Sequence, residues 1–368
     1  MTTTSDRVVR IALVADGPPR AIGTNSGVSK NLLEALAARP DVEIVGEIDA
    51  HVRGVSRALV RLVSFRPSAW RWRRTVSWGT AKPRFRSLLR DLKISTRRTE
   101  IDLVIHVRNF YFPTQVPYAA FIDTTMHLRR MHMPEVRIRD ADYERLIDIE
   151  QNYFTHATHV FTVSDYVRKD LIESYGVDPQ SVSVVGAGLR KDFVVRPKPV
   201  PQLNMILFVG RDFDRKGGWD LVQAFAIVRE RFPEATLEIV GSTPNISAPG
   251  VVIHGDVQDI DELSKIYSRA AVFSLPAHFE PFGLVVLEAL ASGIPCVVTD
   301  VGALREIIET SGGGVVVEPR SIPELARALE ELLADADLRA KLGLAGRNYA
   351  RQSWEDVAGR IMSAIVAA

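Results

Sequence analysis

Short runs of β-branched and aliphatic residues alternate with segments of helical periodicity along this chain, and this alternation constrains the fold most strongly. A strand followed by a helix and then another strand favours a parallel sheet covered by helices. The predicted strands are residues 9–15, 42–48, 101–107, 118–122, 159–163, 181–185, 205–209, 235–240, 251–254, 271–275, 296–298 and 314–317, and the predicted helices are residues 28–38, 165–175, 219–231, 284–291 and 322–334.

The alternation is interrupted once by a proline-rich stretch. In Arg196-Pro197-Lys198-Pro199-Val200-Pro201 every second residue is proline, which cannot occupy a central strand and favours an extended spacer. The chain has 368 residues, a length that fits two domains of ordinary size. We therefore predict two α/β domains joined near residue 200.

Cysteine content and apolar runs bear on location. Cys296 is the single cysteine, so no intramolecular disulfide can form, which is compatible with a reducing compartment. The segment Met1 to Arg10 lacks the apolar core of a signal peptide, and no apolar run is long enough to span a bilayer. These features predict a cytoplasmic protein.

Positive charge is concentrated in residues 51–98. This segment holds fourteen Lys and Arg residues against one acid, Asp91, so it carries +13 and the remainder carries −12 within a net charge of +1. It also holds Trp70, Trp72 and Trp78. The pattern favours peripheral contact with an anionic membrane surface, on its inner face, or guidance of an anionic acceptor. A solvated face with the Trp side chains packed inward is the alternative, and no nucleic-acid partner is expected.

Glu288 is the only charged residue between Pro281 and Thr299. The run from 284 to 291 predicts a buried helix that ends before Gly293 and Pro295. Because an unpaired buried carboxylate costs several kcal/mol or more, Glu288 needs a partner. That partner is a ligand or, alternatively, a structural Arg or Lys; a further alternative is that Glu288 is exposed at the helix end.

Glu280 lies eight residues before Glu288. At a helical rise of ~1.5 Å per residue the two carboxylates would be roughly 12 Å apart, which suits two polar ends of one long ligand. Gly283 between them would permit close approach of a ligand to the backbone. Free amides at this helix start would favour a phosphate.

A second polar cluster spans Gly210 to Gly218 and follows a predicted buried strand. Open α/β sheets bind ligands at such carboxyl ends of strands. Arg211 and Lys216 could clamp a diphosphate there. The alternative is a solvated loop in which the basic residues pair with Asp212 and Asp214.

Several other site classes lack their motifs. No G-x-G-x-x-G follows a strand, no G-x-x-x-x-G-K-[ST] occurs, and the histidines show no metal-binding spacing. We therefore predict no metal and no cofactor, only a substrate.

Taken together, these clusters resemble the retaining glycosyltransferase family with the GT-B fold and an E-x7-E motif, the family 4-like group 1 enzymes. The resemblance covers essentially the whole chain and is most specific in the C-terminal half. The stretches that carry it are Leu207-Phe208-Val209-Gly210-Arg211, Lys216-Gly217, residues 279–289, Ala291-Ser292-Gly293-Ile294-Pro295, residues 301–308 and Val163-Ser164-Asp165-Tyr166-Val167-Arg168.

The resemblance implies a domain organisation. Residues 1–195 would form an N-terminal Rossmann-like acceptor domain, and residues 196–350 a C-terminal Rossmann-like nucleotide-sugar domain. Residues 351–368 would form a helix that crosses back to the first domain. The donor would bind in a cleft between the two.

The resemblance also implies roles for individual residues. Glu280 would bind hydroxyls of the donor sugar, and Glu288 would bind the ribose. Arg211 and Lys216 would hold the diphosphate and stabilise the leaving group. The remaining donor-binding residues would be Gly27, Gly210, Gly255, Asp256, Val257, Phe282, Gly283 and Leu284.

The chain departs from the family in the N-terminal catalytic region. Many members carry a His-Asp pair where this chain has Ile122 and Asp123, so Asp123 is the candidate catalytic acid and His127 an alternative. Asp123 could equally be a helix cap or turn residue. In the family, retention is usually explained by a donor phosphate oxygen that takes the acceptor proton, so no protein base is required.

The resulting prediction is a retaining hexosyltransferase. It would use a UDP- or GDP-linked sugar and an unidentified acceptor, such as a glycan or a lipid-linked glycan. The alternatives are an epimerase or phosphorylase of the same fold, or a non-catalytic basic protein that binds a membrane or nucleic acid.

Overall fold

The computed structural model describes residues 8–21, 27–51, 90–91, 93–95, 97–108, 110, 113–132, 140–193, 195 and 204–367. The chain divides into an N-terminal unit, Met1–Ala187 with Trp354–Ala368, and a C-terminal unit, Gly188–Ser353. The first boundary thus lies after Ala187, not after residue 195. The proline-rich stretch 196–201 and most of the basic segment 51–98 lie outside the described residues.

The N-terminal unit is built on a six-stranded sheet in the order β2-β1-β3-β4-β5-β6. All neighbouring strands pair in parallel. The three central strands β3, β4 and β5 are buried along their whole length, because helices cover both faces of such a sheet. Its strands are β1 Val9–Ala15, β2 Val42–Asp49, β3 Leu103–Val107, β4 Tyr118–Ile122, β5 His159–Thr162 and β6 Val182–Val184.

Helices follow the strands of this unit, and the last helix of the chain also belongs to it. That helix packs against the first helix, and its Arg360 side chain donates to the carbonyl oxygen of Val185 at 2.8 Å. The described α-helices of the unit are α1 Val28–Ala37, α2 Met126–His132, α3 Asp140–Thr155, α4 Asp165–Tyr175 and, at the end of the chain, α11 Trp354–Ala367.

The C-terminal unit has a second parallel sheet of six strands, in the order β12-β11-β10-β7-β8-β9. Its strands are β7 Met205–Val209, β8 Thr236–Val240, β9 Val251–Gly255, β10 Val272–Leu275, β11 Cys296–Thr299 and β12 Gly314–Val317. Its α-helices are α5 Gly218–Arg231, α6 Ile260–Arg269, α7 Leu284–Ala291, α8 Leu304–Ser311, α9 Ile322–Ala334 and α10 Ala336–Tyr349.

The predicted α/β class with two parallel sheets is confirmed, and every predicted strand forms with ends shifted by at most two residues. The five predicted helices also form. Five further helices, α2, α3, α6, α8 and α10, were not anticipated. No helix within the described ranges is both long and apolar enough to cross a lipid bilayer.

Each sheet contains one point where the strand order reverses. In the C-terminal unit, β8 and β9 lie on one side of β7, whereas β10 lies on the other. The loops after β7 and β10 therefore leave the sheet in opposite directions and open a crevice at its carboxyl edge. In the N-terminal unit the corresponding point lies between β1 and β3.

Candidate functional site

The loops after β7 and β10 meet at the switch point of the C-terminal unit. Gly217 has a left-handed backbone, φ 71°, and a Cβ atom there would collide with the carbonyl oxygen of Pro276. The N–H of His278 donates to the carbonyl oxygen of Arg215 at 2.9 Å. Only glycine at 217 allows the two loops to approach this closely.

This approach brings Lys216 beside Glu280. The Lys216 Nζ lies 3.4 Å from the Glu280 Oε2, and each side chain is only 12% exposed. Gly210 makes room for the lysine, because a Cβ atom there would overlap the Lys216 Cδ. Two residues that are 64 positions apart in the sequence thus form one partly buried ion pair.

One carboxylate oxygen of Glu280 accepts no hydrogen bond from the described residues. Its Oε2 also lies 3.5 Å from the Arg215 Nη1, but no described residue donates a hydrogen bond to this buried atom. Arg215 itself donates to the Asp212 carboxylate at 3.2 Å and to the carbonyl oxygen of Phe279. A ligand hydroxyl would satisfy the carboxylate oxygen that the protein leaves without a donor.

The interpretation of residues 210–218 as a solvated loop with internal ion pairs is correct in part. Arg215 pairs with Asp212, as that alternative required. Asp214, however, accepts a hydrogen bond from the Trp219 indole N–H at 2.6 Å. Lys216 pairs with Glu280 and not with an acid of its own loop.

Glu288 is buried, with 5% of its surface exposed, on the inner face of α7. The Tyr267 hydroxyl donates to its Oε2 at 2.9 Å. Burial raises the pKa of the Glu288 carboxyl, while the Tyr267 hydrogen bond and the charges of Arg190 and Lys216 oppose that rise. Among the described residues no Arg or Lys forms an ion pair with it. Within the described residues the structure therefore gives no support to the alternative of a structural ion pair.

The start of α7 lies between the two acids. Gly283 precedes the helix with φ 100°, and a Cβ atom there would lie 2.6 Å from the Leu304 Cδ2. No side chain caps this end, and the N–H of Val286 already donates to the carbonyl oxygen of Gly283 at 2.8 Å, so only the amides before Val286 remain for a ligand. Because the helix begins only at Leu284, the predicted separation of roughly 12 Å, which assumed helix from Glu280 onward, does not apply.

The carboxyl ends of β7, β8 and β9 carry Gly210, Gly241 and Gly255 side by side. The N–H of Gly241 donates to the carbonyl oxygen of Gly255 at 2.7 Å. Arg211 is 70% exposed, and its Nη2 lies 3.8 Å from the Asp256 Oδ1. Arg211 and Asp256 therefore adjoin each other at this edge, and Val257 packs against the core beside them.

Gly27 and Asp123 lie in the other unit. Gly27 precedes α1 with φ 82°, and its carbonyl oxygen accepts from the Asn31 amide at 3.0 Å. Asp123 follows β4, and its Oδ2 lies 3.6 Å from the Arg108 Nη2. The cap of α2 is Thr125, whose hydroxyl accepts from the N–H of Leu128 at 3.1 Å, so the interpretation of Asp123 as that cap is wrong.

His127 binds to helix α4. Its Nδ1 lies 2.6 Å from the Oδ1 of Asp170, whose side chain is 5% exposed, and 3.3 Å from the Ser174 hydroxyl. The hydroxyl of Thr125 donates to the other oxygen of Asp170 at 2.5 Å. This network joins α2 to α4 below the carboxyl edge that carries Asp123.

Several residues of the C-terminal site were missed from the sequence. Tyr267 and Arg190 act on Glu288, and His278 and Asp220 lie 2.8 Å apart between the two loops. Their separation along the chain gives no local pattern that could have revealed these pairs. The described residues contain no cluster of three or more His, Cys, Asp or Glu side chains arranged for a metal ion.

Two family profiles match successive parts of the chain. The profile described as Glycosyltransferase Family 4 matches residues 28–193, and the one described as Glycosyl transferases group 1 matches residues 191–349. The second match contains Lys216, Glu280 and Glu288.

Curated relatives carry glycosyltransferase names. The chain is 30% identical over 222 residues to D-inositol 3-phosphate glycosyltransferase of Corynebacterium aurimucosum, which covers 52% of this chain and 53% of that protein. It is 31% identical over 221 residues to the GDP-mannose-dependent alpha-(1-6)-phosphatidylinositol monomannoside mannosyltransferase of Mycobacterium tuberculosis, covering 52% and 57%. The chain thus spans about half the length of these relatives.

Solved structures agree on the fold. Sucrose-phosphate synthase from Thermosynechococcus elongatus superposes with a TM-score of 0.69 over 96% of this chain and 98% of its own, at 18% identity. That similarity shows the GT-B fold, with its two parallel sheets. On the combined profile matches and this fold, the chain belongs to the group 1 glycosyltransferases of the GT-B class.

Proposed function

We propose that this chain transfers a hexose from a nucleoside-diphosphate sugar to an acceptor, with retention of the anomeric configuration. The observation that carries the proposal is the grouping of Lys216, Glu280 and Glu288 at the switch point of the C-terminal sheet. The Lys216 ammonium group lies next to the Glu280 carboxylate and interacts electrostatically with the buried Glu288 carboxylate. A nucleotide sugar offers the matching sequence of ribose, diphosphate and sugar.

The charged side chains indicate where each group of the donor binds. Lys216 binds the diphosphate, and Arg211 at the start of the same loop adds a second cation. Glu280 accepts from sugar hydroxyls, which supplies its buried Oε2 with the donor it lacks. Glu288 accepts from the ribose hydroxyls, and the amides of residues 282–284 contact the phosphate.

The transfer step needs charge stabilisation more than a protein base. The bond between the anomeric carbon and the phosphate oxygen breaks, and the leaving diphosphate gains negative charge beside Lys216. The acceptor oxygen bonds to the anomeric carbon on the same face, and its proton passes to a donor phosphate oxygen. Asp123 at the end of β4 orients the acceptor hydroxyl. No metal takes part in this scheme.

We base the proposed location of the reaction on the positive charge of residues 51–98. The basic segment 51–98 contacts the anionic inner face of a membrane, where a lipid-linked or glycan acceptor is available, and the protein is otherwise cytoplasmic. Replacing the arginines at positions 53–86 with serine, which spares the buried Arg90 and the Arg97 that donates to Val45, should abolish binding to anionic vesicles but leave donor hydrolysis intact. Unchanged vesicle binding would contradict this part of the proposal.

Two variants test the donor site. K216A should lower turnover by about 100-fold or more, the usual cost of removing one preorganised charge stabiliser. K265A is the matched control, because Lys265 is 61% exposed and, among the described residues, its ion pair is with Asp261 one turn away on α6. Its turnover should stay within about twofold of the original protein.

The assay combines UDP-, GDP- and ADP-sugars with thermal shifts and product analysis. The correct nucleotide raises apparent stability by mass action, and K216A should lose that shift. Full turnover by K216A would reject the site. Release of an isomerised sugar nucleotide in the absence of acceptor would identify an epimerase instead.

A further inference from the structure

Arg108 lies at the switch point of the N-terminal unit. In that sheet β1 has β2 on one side and β3 on the other, so the loops after β1 and β3 open a crevice at the carboxyl edge. Arg108 directly follows β3, and Asp123 directly follows β4, the next strand in the sheet. Both side chains therefore start where this fold places ligands.

The backbone of Arg108 adopts a conformation that arginine rarely takes. Its φ is 79°, in the left-handed region, and its N–H donates to the carbonyl oxygen of Phe121 at 2.8 Å. This conformation costs free energy for a residue with a Cβ atom, and such residues concentrate at ligand sites. The strained turn determines the direction in which the guanidinium leaves the strand.

The base of this turn is rigid. Val107, Phe121 and Ile122, which flank Arg108 and Asp123, are 2% exposed or less. Buried strand ends of this kind hold attached polar groups in place before a ligand arrives. The core thus holds the backbone from which the Arg108 and Asp123 side chains extend.

The guanidinium is only partly engaged. Its Nη2 lies 3.6 Å from the Asp123 Oδ2, longer than the roughly 2.7–2.9 Å of a charge-assisted hydrogen bond. The two side chains are 45% and 30% exposed. Within the part of the chain that the structure describes, Asp123 is the one carboxylate in ion-pair range of Arg108. Of the five N–H donors of arginine, most remain for another anion.

We propose that Arg108 binds an anionic group of the acceptor, a phosphate monoester or a carboxylate, in exchange for its contact with Asp123. The inference rests on the proposed function, because it assigns the acceptor to the N-terminal unit. A planar guanidinium matches two oxygens of such a group. Asp123, released from the ion pair, accepts from a hydroxyl of the same molecule.

Matched sugar pairs test this assignment by calorimetry without any donor. The probes are glucose 6-phosphate against glucose, and glycerol 3-phosphate against glycerol. The phosphorylated member should bind at least about tenfold more tightly, and R108N should abolish the preference. Asparagine tolerates the left-handed conformation, so this variant keeps the turn. R108K should retain part of the preference, since it keeps the charge but not the planar fork.

A second variant excludes the donor site as the source of the effect. K216A should keep the preference for phosphorylated sugars. If K216A loses the preference, or R108N keeps it, the assignment of Arg108 is wrong. If the soluble pairs show no preference but R108N weakens binding to vesicles of equimolar phosphatidylcholine and phosphatidic acid, the phosphate monoester is a lipid headgroup.

Donor hydrolysis in the absence of acceptor separates this inference from the proposed function. If no nucleotide sugar is hydrolysed while the phosphate preference still depends on Arg108, the proposed function fails and the anion site stands. If hydrolysis occurs without that preference, the anion site fails alone.

Discussion

At the scale of single residues, Glu288, the proposed ribose-binding residue, lies where a charged group weakens the fold. Its carboxyl is buried in an apolar helix, and Tyr267 is its hydrogen-bond donor among the described residues. A charged carboxylate in this position is costly unless it is well paired. We infer that the residue is kept for its ligand and not for stability.

The pH dependence of this cost has a definite sign. Burial raises the pKa of Glu288 above its ordinary 4.5, so the folded state binds its proton more tightly than the unfolded state does. The raised pKa of Glu288 therefore adds to the free energy of unfolding. This contribution is fully present below pH 4.5 and is lost as pH rises through the folded-state pKa.

E288Q should therefore separate stability from binding. Glutamine keeps an acceptor for Tyr267 and removes the charge, so stability near neutral pH should equal or exceed that of the original protein. Nucleotide affinity should fall about tenfold or more, because a neutral amide is the weaker acceptor for ribose hydroxyls. Urea unfolding at about pH 5 and about pH 8 checks the first part, since E288Q should lack the decline with rising pH. Marked destabilisation with intact nucleotide binding would contradict both statements.

Gly217 offers a second test at this scale. G217A should cost about 1–2 kcal/mol for the left-handed backbone and roughly 1–3 kcal/mol more for the collision with Pro276. G312A is the matched control in the same unit, because its φ is 59° but a Cβ atom would meet only the Ala345 Cβ at 3.7 Å. G312A should therefore show only the cost of the left-handed backbone. Equal unfolding midpoints for the two variants would show that the loop contact is unimportant.

At the scale of elements, strands were easier to predict than helices. Val9–Ala15 and Met205–Val209 are continuous apolar runs between loops, and both were predicted to the residue. Helices Asp140–Thr155 and Ala336–Tyr349 were missed because few of their side chains are buried, so the apolar stripe that marks a helix is thin.

The position of the domain boundary was also difficult to predict from the sequence. The prolines at 197–201 favoured a linker, yet the C-terminal unit already begins at Gly188. The N–H of Leu189 donates to the carbonyl oxygen of Gln352, and Phe193 packs edge-on against Tyr267 at 5.2 Å. Contacts between such distant residues leave no local pattern. For the same reason the sequence indicated Lys216, Glu280 and Glu288 but not the residues that orient them.

His278 and Asp220 provide a prediction at the element scale. They link the loop after β10 to the first turn of α5, and their side chains are 21% and 15% exposed. H278A should raise the donor KM by about threefold to tenfold, because Lys216 and Glu280 would be held less firmly, while kcat changes less. D220N should have a similar effect.

A double-mutant cycle provides the control for this prediction. If the two side chains act as one pair, the double variant should be little worse than either single one. Additive losses in the two single variants would show that the loops are held by other contacts. Retention of the donor KM by H278Q, whose Nε2 can replace the histidine Nε2, would argue for hydrogen bonding over charge.

At the scale of the whole molecule, the last helix belongs to the first unit. Trp354 is 1% exposed and packs against Phe121 of β4 at 6.3 Å. W354A should cost about 3–5 kcal/mol, as expected for a buried aromatic. Hydrogen exchange should increase in the N-terminal unit, including α1, while the strands of the C-terminal unit stay protected.

W219A is the control for the loss of a tryptophan. Trp219 is 44% exposed at the start of α5, so its removal should cost no more than about 1 kcal/mol. Increased exchange confined to the C-terminal unit in W354A would contradict the placement of the last helix.

This placement has a consequence for biosynthesis. A ribosome makes residues 1–187 first, but their partner helix from Trp354 onward emerges only after the whole of the other unit. The unit that is translated second is contiguous and can complete its fold earlier. Until translation reaches the final helix, the surface that Trp354 will cover is open to chaperones, and a premature stop codon late in the message would harm the part of the protein encoded at its beginning.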